Sequence, residues 1–322
     1  MANKTVAVIG AGAWGTALAQ VAAIAGRHVT LVGRDPVVIS EVNEWHGNSV
    51  HLPGVTLLPT VTASSTLPDA DIIILAVPAQ ASRDALLQHQ AALHGKPVVL
   101  TAKGLEHGSL KRQSEVLAEI VPDATPFVLS GPSFAADVAA GRPTAVTLAG
   151  DDAEETSEMA AILAGPTFRL YASDDRLGVE LAGALKNVYA VACGAVDGAG
   201  LGASARSALL ARAFAELTRL VVRMGGSAST LTGLAGLGDL TLSCTSTQSR
   251  NYRYGVSLGR GQHPGGELAE GVLTAPVARA LADQVRIDAP LIDAVNLLLE
   301  GNTSITDIVA GLMSRPLKRE ED

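Results

Sequence analysis

The sequence predicts an α/β protein in which a doubly wound domain is followed by an all-helical domain. Three observations predict this fold. Short β-branched and aliphatic runs alternate with helical patterns through the first half of the 322 residues, and a glycine-rich turn follows the first run. After about residue 173 the strand pattern ends and segments rich in alanine and leucine begin. We therefore expect the α/β domain over residues 1–172 and the helical domain over residues 173–322.

Most predicted strands are apolar throughout, which is typical of a parallel sheet with helices on both faces. They cover residues 6–9, 28–32, 71–77, 97–101, 126–129, 144–148 and 167–171. Helices are predicted between strands at 79–93 and 109–120, and in the second half at 177–193, 205–224, 274–283, 291–299 and 305–313. Glycine-rich stretches at 232–238 and 259–266 are predicted to be loops.

Composition and charge restrict the class of partner. Lys and Arg number 24 against 32 Asp and Glu, a formal charge of −8, so we expect neither nucleic acid nor an anionic membrane surface. An anionic small molecule would need basic residues gathered locally. The cysteines, Cys193 and Cys244, lie far apart in sequence without metal-ligand spacing, and the histidines are not clustered. We therefore expect a reduced cytoplasmic protein without a metal site.

One uncharged segment, residues 5–26, is about as long as a bilayer span. Gly10, Gly12 and Gly15 interrupt it, and its first part alternates like a strand. Nor does it resemble a signal peptide, because Lys4 is the only charge before it and a small-residue cleavage site is missing. We predict a buried strand, turn and helix here, and no integral membrane segment.

The same three glycines indicate a dinucleotide site. Glycines at this spacing allow a tight turn, close approach of the backbone to a pyrophosphate, and close packing of helix on strand. The helix that follows directs free N–H groups and the positive end of its dipole at the phosphates. Because a strand precedes the motif and a helix follows it, the sequence predicts a Rossmann-like domain that binds a nicotinamide dinucleotide.

The end of the second strand bears on the choice of coenzyme. An acidic residue there would bind the ribose hydroxyls of NAD, whereas an arginine would accommodate the extra phosphate of NADP. Asp35 precedes Pro36 and is explained as a helix N-cap, which leaves Arg34 to face the ribose. We expect NADP(H) to be preferred and NAD(H) accepted. The alternative is that Arg34 is an ordinary solvated arginine.

Polar residues in apolar or glycine-rich surroundings indicate a second half of the site. Lys103 directly follows a buried strand, and the carboxyl ends of such strands line the ligand crevice. Gly131 and Ser133 follow another strand and begin a short helix, whose N–H groups suit an anion.

Lys186 is the residue we expect to carry the chemistry. It lies on a largely apolar helix, where a lysine either extends to the surface or is held in a cleft. In a cleft, desolvation lowers the lysine pKa, and a carboxylate such as Asp239 opposes that shift. A lysine adjusted in this way can give a proton to a carbonyl oxygen and take it back in the reverse reaction.

Ser249, Arg250 and Asn251 carry the donors that a phosphate requires: a hydroxyl, a guanidinium and an amide. With Arg253 and Arg260 they form a basic cluster in an acidic protein. The alternative is a solvated turn without a ligand.

Taken together, these segments resemble the bacterial NAD(P)-dependent glycerol-3-phosphate dehydrogenase family over essentially the whole chain. The matching segments are VIGAGAWGTALA, TAKGLE, SGPSFA, GALKNV, GLAGLGDL, QSRN and the pair Glu270-Gly271. The resemblance implies reversible reduction of dihydroxyacetone phosphate to sn-glycerol 3-phosphate, the backbone of glycerophospholipids. The segment 259–268 is several residues shorter than is usual in the family.

The resemblance also implies site residues. It gives Lys186 the proton-transfer role, with Asn187 and Asp239 beside it. The substrate-binding positions are Lys103, Gly131, Ser133, Lys186, Asp239, Ser249, Arg250 and Asn251. The cofactor-binding positions are Gly10, Gly12, Ala13, Trp14, Gly15, Arg34, Lys103, Ala135, Arg250, Leu268 and Glu270.

Two other functions fit parts of the pattern. Dehydrogenases of the 6-phosphogluconate or β-hydroxyacid type also join a glycine-rich domain to a helical domain with a catalytic lysine, but QSRN after GLGDL resembles the glycerol-3-phosphate family specifically. A non-catalytic nucleotide sensor would keep the three glycines and could lose Lys186 or Asp239, both of which are present. The apolar helical domain leads us to expect a homodimer that acts on a small-molecule substrate.

Overall fold

The structure is a computed structural model, which describes residues 4–262, 265–266, 269–301 and 303–316. Within these residues the first half forms an eight-stranded sheet with helices on both faces. The strands are β1 Thr5–Ile9, β2 His28–Val32, β3 Val61–Ser64, β4 Ile72–Leu75, β5 Pro97–Leu100, β6 Thr125–Ser130, β7 Thr144–Ala149 and β8 Phe168–Ser173. The helices of this half are α1 Ala13–Ile24, α2 Pro36–Trp45, α3 Ser82–Leu93, α4 Gln113–Ile120, α5 Ala135–Ala139 and α6 Ala153–Leu163.

The second half is helical throughout its described residues. Its helices are α7 Arg176–Gly198, α8 Gly202–Arg223, α9 Ala228–Leu231, α10 Asp239–Thr245, α11 Arg250–Gly259, α12 Glu270–Gln284, α13 Pro290–Glu300 and α14 Ile305–Met313. A Rossmann-like domain followed by a helical domain is the fold class that the sequence predicted, and the prediction is confirmed.

The sheet has the order β3-β2-β1-β4-β5-β6-β7-β8. Neighbouring strands are parallel except for β6 and β7, which are antiparallel. The strand order reverses direction at β1, which pairs with β2 on one side and β4 on the other. Ligands of doubly wound sheets bind at this point, outside the carboxyl ends of the strands.

Most sequence predictions of elements agree with the structure to within a few residues. Helices α9, α10 and α11 of the second half were not predicted, and two further differences have a clear physical reason. Strand β3 was not predicted, because four residues at the sheet edge with only one buried side chain carry little apolar pattern. The prediction of a loop at 232–238 was wrong for its second part, since Leu234–Gly238 forms a π-helical turn. A Cβ on Gly236 would lie 2.1 Å from the Leu231 carbonyl oxygen, so glycine allows this tight winding.

Apolar side chains pack in two layers against the sheet and in a separate core around α7. Val179 and Ala235 of the second half join one of the layers against the sheet, so the two domains share apolar contacts. Of the described helices, α7 is the one long and apolar enough to cross a membrane, and its apolar window is wholly buried within the protein. It is therefore the central helix of this domain.

A buried carboxylate ties α7 to the sheet domain. Glu180 accepts hydrogen bonds from the Ser114 backbone N–H at 2.9 Å and from the Ser114 hydroxyl at 2.6 Å. It thereby caps the start of α4 from a helix of the other domain. Burial raises the pKa of Glu180, and its two hydrogen bonds to Ser114 act in the opposite direction. Fixing α7 in this way also fixes the residues that α7 presents to the cleft.

Candidate active site between the sheet and helix α7

The glycine turn after β1 has the shape that close approach requires. Gly10 has a φ of +115°, and a Cβ there would lie 2.8 Å from the Ala76 carbonyl oxygen. A Cβ on Gly15 would lie 1.8 Å from the Gly10 carbonyl oxygen. Gly12, by contrast, has no described atom within 4 Å of its Cβ position, and no described side chain caps α1. The open space and the uncapped N–H groups of α1 fit a pyrophosphate.

The two residues that begin α1, Ala13 and Trp14, are half-buried beside this opening. Arg34 lies next to the turn, because a Cβ on its neighbour Gly33 would lie 2.8 Å from the Ala11 Cβ. Asp35 accepts a hydrogen bond from the Val37 N–H at 2.9 Å and caps α2, as predicted. The Arg34 side chain is exposed and has no hydrogen-bond partner among the described residues. It is therefore available to a ligand.

A carboxylate held between two lysines forms the centre of the site. Asp239, at the start of α10, is 1% exposed. Its Oδ1 accepts from the Lys186 Nζ of α7 at 2.5 Å, and its Oδ2 accepts from the Lys103 Nζ at 2.8 Å. Lys103 also donates to the Gly131 carbonyl oxygen at 2.9 Å. Residues that are 53 and 136 positions apart thus form one charged cluster.

The charges in this cluster adjust Lys186 to work near neutral pH. Burial lowers its pKa to about 8, with Asp239 opposing the shift and Lys103 adding to it. A lysine that is 5% exposed and has a pKa near 8 can both donate and accept a proton at physiological pH. The cluster of two lysines and one aspartate carries a net positive charge, which favours an anionic ligand.

Ser243 completes the surroundings of Lys186, and sequence reasoning missed it. Its hydroxyl accepts from the Lys186 Nζ at 2.7 Å, and its side chain is buried. It lies four residues after Asp239, so both side chains lie on the same face of α10. That spacing is the signal that could have found it.

The segment after β6 contacts Lys103 through the Gly131 carbonyl oxygen. Gly131 has a φ of +145°, and a Cβ on it would lie 2.8 Å from the Val146 Cα, so only glycine fits. The Ser133 hydroxyl donates to the Gly131 carbonyl oxygen at 3.0 Å. Ala135 begins α5, which packs against α1 of the glycine turn. The segment therefore connects the lysine cluster with the predicted dinucleotide site.

The start of α11 presents the predicted phosphate donors. Ser249 caps the helix by accepting from the Tyr252 N–H at 3.3 Å. Arg250 is exposed and has no ion-pair or hydrogen-bond partner in the described part of the chain. Asn251 donates to the Asn187 Oδ1 at 2.9 Å, and Asn187 donates to the Lys103 carbonyl oxygen at 2.8 Å. The structure therefore places the start of α11 beside the lysine cluster. The sequence alone left open whether this segment belongs to a site or is a solvated turn.

Glu270 begins α12 and reaches across to the sheet domain. Its Oε1 accepts a hydrogen bond from the Ala79 N–H at 3.3 Å, just beyond the end of β4. A cavity of about 50 Å³ lies beside this contact, lined by Ala79, Gly104, Glu270 and Thr274 among others. The remaining predicted cofactor residue, Leu268, lies outside the described residues.

Comparison with known proteins identifies the family. Residues 5–156 match the family described as NAD-dependent glycerol-3-phosphate dehydrogenase N-terminus, and residues 175–310 match the corresponding C-terminus. A relative from Caulobacter vibrioides named glycerol-3-phosphate dehydrogenase, NAD(P)+, is 49% identical over 332 residues, which cover 99% of this chain and 100% of the relative. The chain belongs to the NAD-dependent glycerol-3-phosphate dehydrogenase family.

Other members of this glycerol-3-phosphate dehydrogenase family agree in sequence and in fold. A Brucella ovis relative with the same name is 48% identical over 325 residues, which cover 99% of this chain and 100% of the relative. A crystal structure of glycerol-3-phosphate dehydrogenase from Coxiella burnetii superposes with a TM-score of 0.91 at 36% identity, covering 97% of this chain and 99% of that one. The family predicted from the sequence is confirmed.

The structure thus divides the predicted residues of this glycerol-3-phosphate dehydrogenase family member into two groups. Lys103, Lys186, Asp239, Asn187 and Asn251 are joined by direct hydrogen bonds. Within the described residues, the glycine turn, Arg34, Arg250 and Glu270 form the second group, whose members make no hydrogen bonds to one another.

Proposed function

We propose that this protein catalyses the NAD(P)H-dependent, reversible reduction of dihydroxyacetone phosphate to sn-glycerol 3-phosphate. The observation that carries the proposal is the buried Asp239 carboxylate between the ammonium groups of Lys186 and Lys103. Family membership supports the reaction, and the net positive charge of the cluster suits an anionic substrate. The product supplies the backbone of glycerophospholipids.

Lys186 acts as the proton donor to the ketone oxygen in the direction of reduction. Asp239 and Ser243 hold its Nζ at 2.5 and 2.7 Å, which restricts the ammonium to one orientation. In the reverse direction the neutral amine accepts the proton from the substrate hydroxyl. Lys103 contributes a second positive charge that stabilises the developing negative charge on the oxygen.

The phosphate of the substrate is bound at the start of α11. Arg250 is an unpaired cation among the described residues, and a guanidinium can hold a phosphate through two parallel hydrogen bonds. Ser249 and Asn251 add a hydroxyl and an amide on the same helix start. Holding the phosphate in this way places the ketone oxygen toward Lys186, and positioning of this kind supplies a large part of catalysis.

The glycine turn binds the dinucleotide, and the open space at Gly12 and the uncapped start of α1 support this role. When bound, a reduced nicotinamide supplies the hydride for the ketone carbon. The proposal also assigns Ala13, Trp14, Ala135 and Glu270 to the dinucleotide site.

The proposed function is tested by mixing the purified protein with dihydroxyacetone phosphate and following the loss of reduced-nicotinamide absorbance, in parallel with NADPH and NADH. We expect oxidation that depends on the ketone phosphate. The unphosphorylated ketone is the matched control and should react far more slowly, because Arg250 has no phosphate to bind. Binding of both coenzymes without any turnover would contradict the reaction and favour a sensor.

Arg34 makes NADP(H) the preferred coenzyme, with NAD(H) accepted. The Arg34→Ala variant should raise the Michaelis constant for NADPH by about tenfold or more, since it removes a charge-assisted hydrogen bond to the ribose phosphate. It should leave the Michaelis constant for NADH nearly unchanged. Equal increases for both coenzymes would contradict this assignment.

We propose three further properties of the protein. It acts as a homodimer through its apolar helical domain. It works in the cytoplasm, which the two free cysteines Cys193 and Cys244 support and cell fractionation tests. Its domains divide at residues 1–172 and 173–322, close to the end of β8 at Ser173 and the start of α7 at Arg176.

A further inference from the structure

Two asparagines of the substrate side form a continuous relay of hydrogen bonds. The Gly271 N–H of α12 donates to the Asn251 Oδ1 at 2.8 Å, and the Asn251 Nδ2 donates to the Asn187 Oδ1 at 2.9 Å. The Asn187 Nδ2 then donates to the Lys103 carbonyl oxygen at 2.8 Å. All three bonds run in the same direction, from α12 through α11 and α7 to the loop after β5.

At α12, the hydrogen bond from the Gly271 N–H to Asn251 helps to determine where this helix begins. No described side chain adjacent in sequence caps α12, whose N-cap residue is Ala269. The Gly271 N–H is one of the N–H groups that a helix start leaves without an internal partner, and Asn251 satisfies it from another helix. A Cβ on Gly271 would lie 2.3 Å from the Asn187 carbonyl oxygen, so the helix start is also packed directly onto α7.

Glu270 immediately precedes Gly271 and makes the contact with the Ala79 N–H across the domain boundary. Its side chain can reach Ala79 only while the first turn of α12 stays against α7 and α11. The position of Glu270 therefore depends on the amide of Asn251, although Asn251 itself faces the substrate side.

We propose that Asn251 and Asn187 are positioning residues for the cofactor site, which place Glu270 and thereby set the affinity for NADPH. This inference rests on the proposed function, because it takes Glu270 to bind the cofactor. The two polar atoms of Asn251 thus have different roles. Its Nδ2 donates to Asn187 on the substrate side, and its Oδ1 accepts from the Gly271 N–H and so positions the start of α12 on the cofactor side.

The first test measures the dissociation constant of NADPH by fluorescence in the absence of substrate. Asn251→Ala leaves the Gly271 N–H without its partner, and we expect the dissociation constant to rise about tenfold. The matched control is Asn296→Ala. Asn296 also donates to the backbone of α12, at the Ala275 carbonyl oxygen, but lies away from Glu270. We expect this control to bind NADPH like the wild type.

A thermodynamic cycle separates positioning from general damage to the structure. If Asn251 acts through Glu270, Asn251→Ala should change NADPH affinity less than twofold when Glu270→Gln is already present. Asn251→Asp keeps the Oδ acceptor for Gly271, so the exchange rate of the Gly271 amide with deuterium should stay near that of the wild type. In Asn251→Ala the same amide should exchange faster.

Each outcome distinguishes the two proposals. Wild-type protein that fails to bind NADPH would overturn both the proposed function and this inference. Wild-type binding together with an unchanged dissociation constant in Asn251→Ala would overturn the inference alone. Additive effects of Asn251→Ala and Glu270→Gln would also overturn it, because Asn251 would then act independently of Glu270.

Discussion

Lys186 shows how burial changes the acid–base properties of a lysine. In water a lysine amine is almost fully protonated at neutral pH and releases its proton slowly. Burial on α7 lowers the Lys186 pKa to about 8, and Asp239 prevents a further decrease. The charge on Lys186 is therefore retained at neutral pH, but the proton can be transferred.

The first prediction at this scale concerns Lys186 and pH. Because reduction needs the protonated amine, its rate should be constant below pH 8 and fall by about tenfold per pH unit well above it. Oxidation of the alcohol needs the neutral amine and should rise with pH to a plateau above 8. Lys186→Ala should lower turnover by about a hundredfold or more.

Rate profiles in both directions check this prediction, with NADPH affinity as the control. That affinity should be nearly unchanged in Lys186→Ala, because the lysine lies on the substrate side. Turnover close to that of the wild type in Lys186→Ala would rule out its proton-transfer role.

The second prediction concerns Arg250. Arg250→Ala should raise the Michaelis constant for dihydroxyacetone phosphate by about 10- to 100-fold, since a hydrogen bond to a charged group contributes about 1.5–3 kcal/mol. Arg260→Ala removes the same charge at the other end of α11 and is the matched control. Similar increases in both variants would indicate a diffuse effect of charge and not a bound phosphate.

At the scale of elements, glycine determines how closely the two site-bearing helices approach. A Cβ on Gly194 of α7 would lie 2.1 Å from the Tyr252 carbonyl oxygen, and one on Gly255 of α11 would lie 2.0 Å from that of Val191. The two helices run parallel with their backbones in contact. The first turn of α11 therefore lies against the middle of α7, which brings Asn251 to Asn187.

A buried carboxylate caps another helix of the same domain. Glu216 of α8 accepts from the Leu291 and Ile292 N–H groups at the start of α13, each at 3.0 Å, and from the Tyr189 hydroxyl at 3.4 Å. Burial raises its pKa to about 7, although both backbone bonds act in the opposite direction. The cap is therefore neutral in acid and charged in base.

This pKa predicts how stability depends on pH. The folded-state pKa lies above the ordinary value of 4.5, so the stability from this group is fully present below that pH and is lost as the pH rises through 7. The difference corresponds to about 3 kcal/mol. The free energy of unfolding by denaturant, measured from pH 4.5 to 8, should show this decrease in the wild type. Glu216→Gln should abolish the part of the decrease that is due to Glu216. Glu158→Gln, at an exposed position, is the control, and parallel curves for wild type and Glu216→Gln would contradict the assignment.

At the scale of the whole molecule, the residues of the candidate site come from both domains. The sheet domain supplies the glycine turn, Lys103 and Ser133, and the helical domain supplies Lys186, Asp239 and Arg250. Glu180 and Glu270 each bond to the other domain. The arrangement of the domains therefore decides whether the proposed substrate and cofactor residues lie side by side.

The homodimer is a prediction at this scale. Large apolar side chains of the helical domain, including Val222, Leu297 and Met313, are exposed in the single chain. Light scattering should give about twice the chain mass of 32.9 kDa. Leu297→Glu with Met313→Glu should shift the mass toward the monomer, whereas Leu87→Glu in the sheet domain should not. A monomer mass for the wild type at every concentration would contradict the proposal.

The sequence by itself determined the order of most elements, the fold class, the glycine turn and the identity of most candidate site residues. These properties follow from patterns within a few residues of one another: apolar strand runs, helical periodicity, the Asp35 cap and the spacing of Gly10, Gly12 and Gly15. Strand β3 was not predicted, because an edge strand with one buried side chain has little apolar pattern.

Only the tertiary structure decided which residues meet. The sequence placed Lys186 either on the surface or in a cleft, and left Ser249–Asn251 either a turn or a site. Folding put Asp239 between lysines that are 53 and 136 residues away, and connected Asn251 with both Asn187 and Gly271. The physical reason is that pKa values and hydrogen-bond relays depend on distance and burial in space. The separation of two residues along the chain determines neither.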